Sequence, residues 1–479
     1  MITSTACVIG ATMLNSIEPP GPWHEETSSQ RVSSAPPDML PVSSPDSPFA
    51  GEPTLDTSLT SKRSAEQTWE IQRATTQGQE DLFFAAQRLR IVAGDQYSEI
   101  VFGAEGEPLR LYVKGAPSEE LRAAVVKEGL PVSLTEASFT ESEAKAEIAR
   151  LISMTDLMER NKITGAYPSS SRNALVFEVG VERAPASAGP RISNTMGFLV
   201  PDETVAAAEL ELQANSALEI EVDATVDDLD RIPALRRWDD SNPFYGGNLI
   251  RRAGADCTSA FAARFRDTGR LTLLSARHCG EGNWASPQGA QLAIGTTVHR
   301  WDTLALSTDA MGITATLPPV ATGPYAGRMY YGANNSPLSV NVFGFAQPYV
   351  GLRVCGGGGY TGSVCGQQVT RINFAPVGYP WGGSATFFEL DQDGGATIGQ
   401  GDSGGPVYFP SSSGAIGIGI TSYIRAPFTA CQGVIFEGRQ CSELSGAVQV
   451  WDVLNSRNME LVGSSFRSFQ NGRGPITPG

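Results

Sequence analysis

Large apolar residues are unevenly distributed along this chain. Residues 15–60 hold few of them among many Pro, Ser and Thr. Such a stretch cannot bury enough surface to offset chain entropy, so residues 1–79 are expected to form a leader and a disordered lead-in. From residue 80 to about 230 the pattern becomes regular. Leu109-Arg110-Leu111-Tyr112-Val113 alternates as a strand, and Pro117 opens a helical stretch with Leu121 and Val125 four apart. Val132 and Leu134 start another strand. Thr140-Glu141-Ser142-Glu143 spells a capping box for a helix whose Ala144, Ile148, Leu151 and Ile152 share one face. The runs Ala174–Val181 and Leu218–Val222 add strands, which predicts a small α+β domain over 80–230 with no catalytic constellation. A polar connection with Pro233 and the dibasic pair Arg236-Arg237 follows, placed at 231–245. Beyond it, short apolar runs are broken by glycine, and no helical period returns until Trp451-Asp452-Val453-Leu454. Many short strands with Gly-rich turns predict an all-β barrel or sandwich over 246–465, with a tail at 466–479.

Composition adds a boundary to this pattern. The chain has 479 residues, 41% of them hydrophobic, enough for a substantial core. Its net charge of −16 averages two unlike parts. Residues 241–479 carry 15 Arg, no Lys and 13 acidic residues, a net +2, whereas the part before them carries −18 and all five lysines. Two regions with different jobs are expected. Neither has the basic patch that nucleic acid requires, and no run of about 18 apolar residues predicts a membrane-spanning helix. Six of the seven cysteines (Cys257, Cys279, Cys355, Cys365, Cys431, Cys441) fall in the second region. An even set there predicts three disulfides and an oxidising, extracellular setting. Sequence order offers 257–279, 355–365 and 431–441, although six cysteines allow fifteen connectivities. Zinc is not expected, because the short cysteine spacing and the histidine cluster of a zinc site are absent. The apolar run Ala6–Leu14 has no basic residue before it and makes a poor secretory signal, so export is inferred from the cysteines.

Candidate chemistry lies in two segments of the second region. Gly399-Gln400-Gly401-Asp402-Ser403-Gly404-Gly405-Pro406 surrounds a serine with glycines, and Leu273-Leu274-Ser275-Ala276-Arg277-His278-Cys279 delivers an imidazole from an apolar run. A serine hydroxyl needs a base within hydrogen-bond reach and N–H groups aimed at the developing oxyanion. Gly401 can adopt a positive φ that brings its N–H beside that of Ser403. Of the other histidines, His24 lies in the lead-in and His299 sits in no motif.

These motifs resemble the trypsin/chymotrypsin-fold serine peptidases, in particular the streptogrisin-like secreted bacterial branch. Pro243-Phe244-Tyr245-Gly246-Gly247 and Cys257–Phe261 look like the start of a mature member. Val354-Cys355-Gly356 with Tyr360–Gly366 resembles its small disulfide loop, and Leu111–Gly115 through the Glu143 helix is similar to its pro-domains. The resemblance covers about residues 243–455. It implies two six-stranded antiparallel β-barrels, preceded by an α+β pro-domain that acts in cis, in a monomeric secreted serine endopeptidase acting on polypeptides without a cofactor. Ser403 would be the nucleophile, His278 the base, and the Gly401 and Ser403 N–H groups the oxyanion hole. The orienting acid is Asp309 by its spacing of 31 residues from His278, with Asp302, 24 residues on, as the alternative. The substrate pocket would involve Thr397, Ser422, Tyr423 and Ile424. Thr397 stands where trypsin-like members carry an Asp, so a non-basic P1 residue is expected, and Ile424 would narrow the pocket. Gly399 replaces a cysteine of many relatives, and the cation that pairs with Asp402 is not evident. A different reading keeps the scaffold as a non-catalytic binding protein with its groove closed by Tyr423 and Ile424.

Overall fold

The computed structural model describes residues 65–76, 78–104, 106–181, 202–226, 240, 242–252, 255–287, 293–300, 308–315, 324–377, 379, 385–436 and 438–463. All of them belong to one unit of the chain, Pro53–Gly479. The expectations for His24, Asp302, most of the 231–245 connection and the C-terminal tail fall outside the described residues.

Two helices come first, α1 (Ala65–Ala74) and α2 (Glu80–Ala93). The first corrects the expectation of a lead-in reaching residue 79. Its Trp69 ring stacks on Tyr408, and its Nε1 donates to the Ser411 carbonyl 342 residues away. That support is tertiary, which local composition does not reveal. There follow β1 (Tyr97–Val101), β2 (Leu109–Lys114), α3 (Glu119–Glu128), β3 (Val132–Ala137), α4 (Glu141–Ile152) and α5 (Thr155–Arg160). Next come β4 (Ile163–Ser169), β5 (Ala174–Val181), α6 (Asp202–Ala214) and β6 (Ile220–Val226). Local chemistry sets the helix ends. Ser118 accepts from Leu121 N and Gly129 closes α3 at φ +65°, while Thr140 and Glu143 form the expected reciprocal capping box of α4. Strands β1–β3 make a three-stranded sheet.

The second region is almost entirely strand. Its first half comprises β7 (Phe244–Gly246), β8 (Leu249–Arg252), β9 (Ala255–Thr258), β10 (Ala262–Phe265), β11 (Leu271–Ser275), β12 (Asn283–Ala285), β13 (Ala293–Arg300) and β14 (Met311–Thr314). Its second half begins with β15 (Tyr325–Tyr330), β16 (Ser339–Phe345), β17 (Arg353–Gly358), β18 (Gly362–Pro376), β19 (Phe387–Asp391) and β20 (Ile398–Gly399). It ends with β21 (Pro406–Ser411), β22 (Gly414–Thr429), β23 (Cys441–Gln449), α7 (Val450–Ser456) and β24 (Met459–Leu461). Strands β8–β14 of the first half form a sheet of eight with β24, in the order β24-β10-β11-β14-β13-β12-β8-β9, where β24 pairs with β10. In the second sheet, β17, β18, β19, β23, β22 and β21 pair antiparallel in a closed ring, since β22 contacts both β21 and β23. This sheet grows to thirteen strands because β4, β5 and β6 of the N-terminal region attach through β18.

The N-terminal region therefore shares the second region's interior. Phe83 of α2 stacks on Phe409 of β21 at 4.4 Å, and one buried apolar cluster runs from Leu89, Ile100 and Leu111 to Leu352, Val407 and Ile418. Burying such side chains contributes about 1.5–3 kcal/mol each. At the backbone, Phe102 N donates to Val350 O at 2.7 Å, and β4 pairs Ala166 with Ala375 and Gly165 with Pro376. Gly165 is required here, because a Cβ would overlap the Phe374 ring. Buried charges cross the same contact. Glu178 of β5 pairs with Arg371, which also reaches Glu389 at 3.0 Å, and Lys145 of α4 lies 3.5 Å from Asp452.

Candidate active site

Strand β11 is buried between β10 and β14, and it ends in a helical turn, Arg277–Cys279, that carries His278 out of the sheet. Cys279 is bonded to Cys257 of β9, which fixes the turn from the other side. The remaining pairs are Cys355–Cys365 and Cys431–Cys441, so the connectivity is the one sequence order offers. Asp309 sits two residues ahead of β14, the neighbour of β11, and is fully buried. Ser403 lies in the loop between β20 and β21. Adjacent strands of one sheet thus bring together His278 and Asp309, 31 residues apart, and the other sheet supplies Ser403, 125 residues from His278.

The three side chains form a hydrogen-bonded row. His278 Nδ1 is 2.6 Å from Asp309 Oδ2, and Nε2 is 2.8 Å from Ser403 Oγ. The His278 backbone N–H also donates to Asp309 Oδ1 at 2.8 Å, so both carboxylate oxygens hold the imidazole-bearing turn. Burial by itself would raise the Asp309 carboxyl. The His278 charge, with hydrogen bonds from His278 and Ser422, outweighs that cost and holds it below the usual carboxylate range.

The serine loop is shaped from two sides. Thr258 N donates to Ser403 O and Thr258 Oγ1 to Gly401 O, each at 2.7 Å. Gly401 has φ +113° and Gly404 φ +82°, and a Cβ at Gly404 would overlap Ser275 Oγ and the Thr258 carbonyl. Asp402 points away into the interior. Its Oδ1 accepts from Tyr360 N and Thr361 N at 3.0 Å, and its Oδ2 accepts from Gly399 N at 2.9 Å and from Thr361 Oγ1. The cation missing from the sequence reading is Arg439, fully buried with Nη2 3.4 Å from Asp402 Oδ2. Its other donors go to the Gln400, Gln432 and Val434 carbonyls. Burial pulls this guanidinium below its ordinary value, while Asp402 opposes the shift.

The four expected pocket residues are all buried. Ser422 donates to Asp309 Oδ2 at 2.5 Å and so touches the acid. Tyr423 follows a register shift of β22 and packs its ring against Tyr379 and Phe387, with its hydroxyl donating to Glu389 at 3.0 Å. Gly446 across the strand pair makes room for that ring; any Cβ there would overlap it. Ile424 is buried, and Thr397 is fully buried with its hydroxyl donating to Ser442 O at 2.9 Å. Gly399 is explained by a neighbour: a Cβ there would overlap Cys441 Sγ, so the 431–441 disulfide occupies the space beside it.

Two further residues at the site had no signal in the sequence. Tyr379 donates to Asp309 Oδ2 at 3.0 Å, and Thr258 braces the serine loop. Both act across long separations; Thr258 lies within the Cys257–Phe261 segment, which carries no sign of this role, and Tyr379 lies in no motif.

No family model matches the chain, and no curated protein matches it in sequence. Solved structures similar to it include a glutamic-acid-specific serine protease that uses a histidine triad in substrate binding, at 18% identity, TM-score 0.33, covering 46% of this chain and 100% of that one. Nocardiopsis protease is similar at 21% identity and TM-score 0.33, covering 46% of this chain and 98% of that one. Thermobifida fusca protease A stands at 18% identity with the same TM-score and coverage. At that TM-score these likenesses carry no argument about the chain's activity.

Proposed function

We propose that this chain is the precursor of a secreted serine endopeptidase with a chymotrypsin-like, all-β catalytic region. The observation that carries the reading is the continuous row Asp309–His278–Ser403, with contacts of 2.6 and 2.8 Å. Ser403 Oγ attacks the peptide carbonyl while His278 Nε2 takes its proton, and the carbonyl oxygen becomes an oxyanion beside the Gly401 and Ser403 N–H groups. The imidazolium then donates that proton to the leaving amine, which departs as the C–N bond breaks and leaves an acyl-enzyme. Water, deprotonated by the same imidazole, attacks the acyl carbon; as the bond to Oγ breaks, the imidazolium returns the proton to Ser403 and the acid is released. Asp309 keeps the tautomer with Nδ1–H and stabilises the imidazolium in each half. The φ of Gly401 supports the oxyanion assignment, and one such donor is worth about 3 kcal/mol. The N-terminal region acts in cis as inhibitor or folding aid, a role supported by the apolar cluster and ion pairs it shares with the catalytic region. Three disulfides support an extracellular destination.

A fluorophosphonate probe tests the reading, because it labels only an activated serine. Wild-type protein should be labelled, whereas Ser403→Ala and His278→Ala should not. Asp309→Asn should slow labelling and turnover by about 10⁴, and Asp302→Asn by no more than about threefold. An unlabelled wild type overturns the proposal, and the reverse ranking of the two acids moves the third role to Asp302.

A further inference from the structure

The catalytic acid has more donors than an imidazole-orienting carboxylate needs. Asp309 Oδ2 accepts from His278 Nδ1 at 2.6 Å, Ser422 Oγ at 2.5 Å and Tyr379 Oη at 3.0 Å. Tyr379 Oη also lies 3.1 Å from Ser422 Oγ, so the two hydroxyls and the carboxylate form one closed cluster. The Tyr379 ring is held edge-on by Phe387, with centroids 6.0 Å apart, and tilted against Tyr423 at 5.4 Å. Ahead of it, Val377 N donates to Thr164 O at 2.9 Å, continuing the pairing of β18 with β4. The ring is thus delivered by a segment whose approach is clamped by the N-terminal region.

We propose that Tyr379 is a positioning residue of the catalytic acid, acting through its hydroxyl on Asp309 and Ser422 to set how strongly the carboxylate holds the His278 imidazolium. The inference rests on the serine peptidase reading above. A phenol is a strong donor only while protonated, and burial keeps this one protonated far above its ordinary range, with the Asp309 charge acting in the same direction. Each donor on Oδ2 withdraws negative charge from the oxygen that faces Nδ1. Removing one leaves a more basic carboxylate, which binds imidazolium more tightly, so the neutral base appears only at higher pH. Among the described residues, the ionisable groups facing the cluster are His278 and Asp309 themselves, Tyr423 behind the ring, and beyond the Tyr423 hydroxyl Glu389 with Arg371 and Arg425. Deleting one phenolic oxygen changes the hydrogen bonding of Asp309 and leaves Glu389, Arg371 and Arg425 in place.

Tyr379→Phe in the full chain, activated as the wild type is, keeps the ring against Phe387 and Tyr423. The acid limb of kcat/KM should move to higher pH by about half a unit to one unit, with kcat reduced about tenfold at neutral pH. The downfield proton resonance of the His278–Asp309 bond should follow the same displaced midpoint. Replacing Tyr379 by 3-fluorotyrosine, a stronger donor of nearly the same shape, should move the limb the opposite way, and it tests the idea even where the Phe variant does not fold. An acid limb that stays at the wild-type position with both substitutions overturns the proposal. Wild-type protein that the fluorophosphonate does not label overturns the peptidase reading instead, so the two failures are distinct.

Discussion

At the scale of single residues, the site depends on one charge that no motif announces. Asp402, beside the nucleophile, is buried and takes its countercharge from Arg439, 37 residues further on. Losing one partner of a buried pair leaves the other charge unpaired, at a cost of about 3–5 kcal/mol. Arg439→Met should therefore destabilise the protein by roughly that amount and loosen the Gly399–Ser403 loop, while Asp402→Asn with Arg439→Met together should cost less than the sum. A double-mutant cycle by denaturant unfolding, with the rate of fluorophosphonate labelling as a second readout, checks both; additive losses would mean that the pair is not coupled. His278 and Ser403 were legible because the chemistry of each needs particular immediate neighbours: an apolar strand before the base and glycines around the nucleophile. Arg439 and Tyr379 were not, because each is chosen by where a distant strand ends.

At the scale of elements, strand β1 carries a carboxyl that its environment disfavours. Glu99 is buried, with the Ser170 N–H donating to its Oε2 at 2.8 Å. Burial pushes the carboxyl up to about 7 from 4.5, with the Ser170 hydrogen bonds opposing. The sign follows from the raised value. Stability from the protonated form is complete below about 4.5, and it is lost as the pH rises through about 7. The total is roughly 3 kcal/mol. The urea midpoint of the precursor should thus fall between pH 5 and pH 8, and Glu99→Gln, which stays neutral and can still accept from Ser170, should flatten this part of the profile. An equal fall in the variant would place the pH dependence elsewhere, in Glu178 or Asp452, whose carboxyls burial also raises. Helix caps were legible at this scale, since Thr140 and Glu143 satisfy donors within one turn. Helix α1 was not, because its apolar face is answered by Tyr408 and Tyr331 rather than by its own neighbours in sequence.

At the scale of the whole molecule, the chain is divided where two packed regions end. The N-terminal region's last described strand closes at Val226. Asp240 already belongs to the catalytic region: it is buried, accepts from Tyr245 N at 2.7 Å and from the Tyr330 hydroxyl at 2.8 Å. A cut that removed Asp240 would leave those donors unmet. The mature enzyme should therefore begin between residues 227 and 240, and N-terminal sequencing of active material locates the start. A first residue beyond Tyr245, or upstream of residue 200, would overturn this division. The same sequencing on Ser403→Ala precursor, made in a host without other secreted proteases, should find it uncut if the molecule processes itself.

The sequence alone determined whatever depends on near neighbours. Alternation and capping placed β2, α3, β3, α4, β5 and β6, the cysteine order offered the three pairs among fifteen connectivities, and an apolar run marked His278 while a glycine-rich motif marked Ser403. Resemblance in spacing and in the strand before it put Asp309 ahead of Asp302, and the structure sets Asp309 against the imidazole. Only the tertiary structure decided which polar groups meet across the barrel and which face of β22 a side chain occupies. Ser422 thus joins the acid while Tyr423 packs in the core. It also decided that β4 adds to β18, making one thirteen-stranded sheet from two regions. The physical reason is range. Hydrogen-bonding periodicity repeats every two to four residues and is written locally, whereas a buried charge or an open strand edge is satisfied by whatever the fold brings within 3 Å of it.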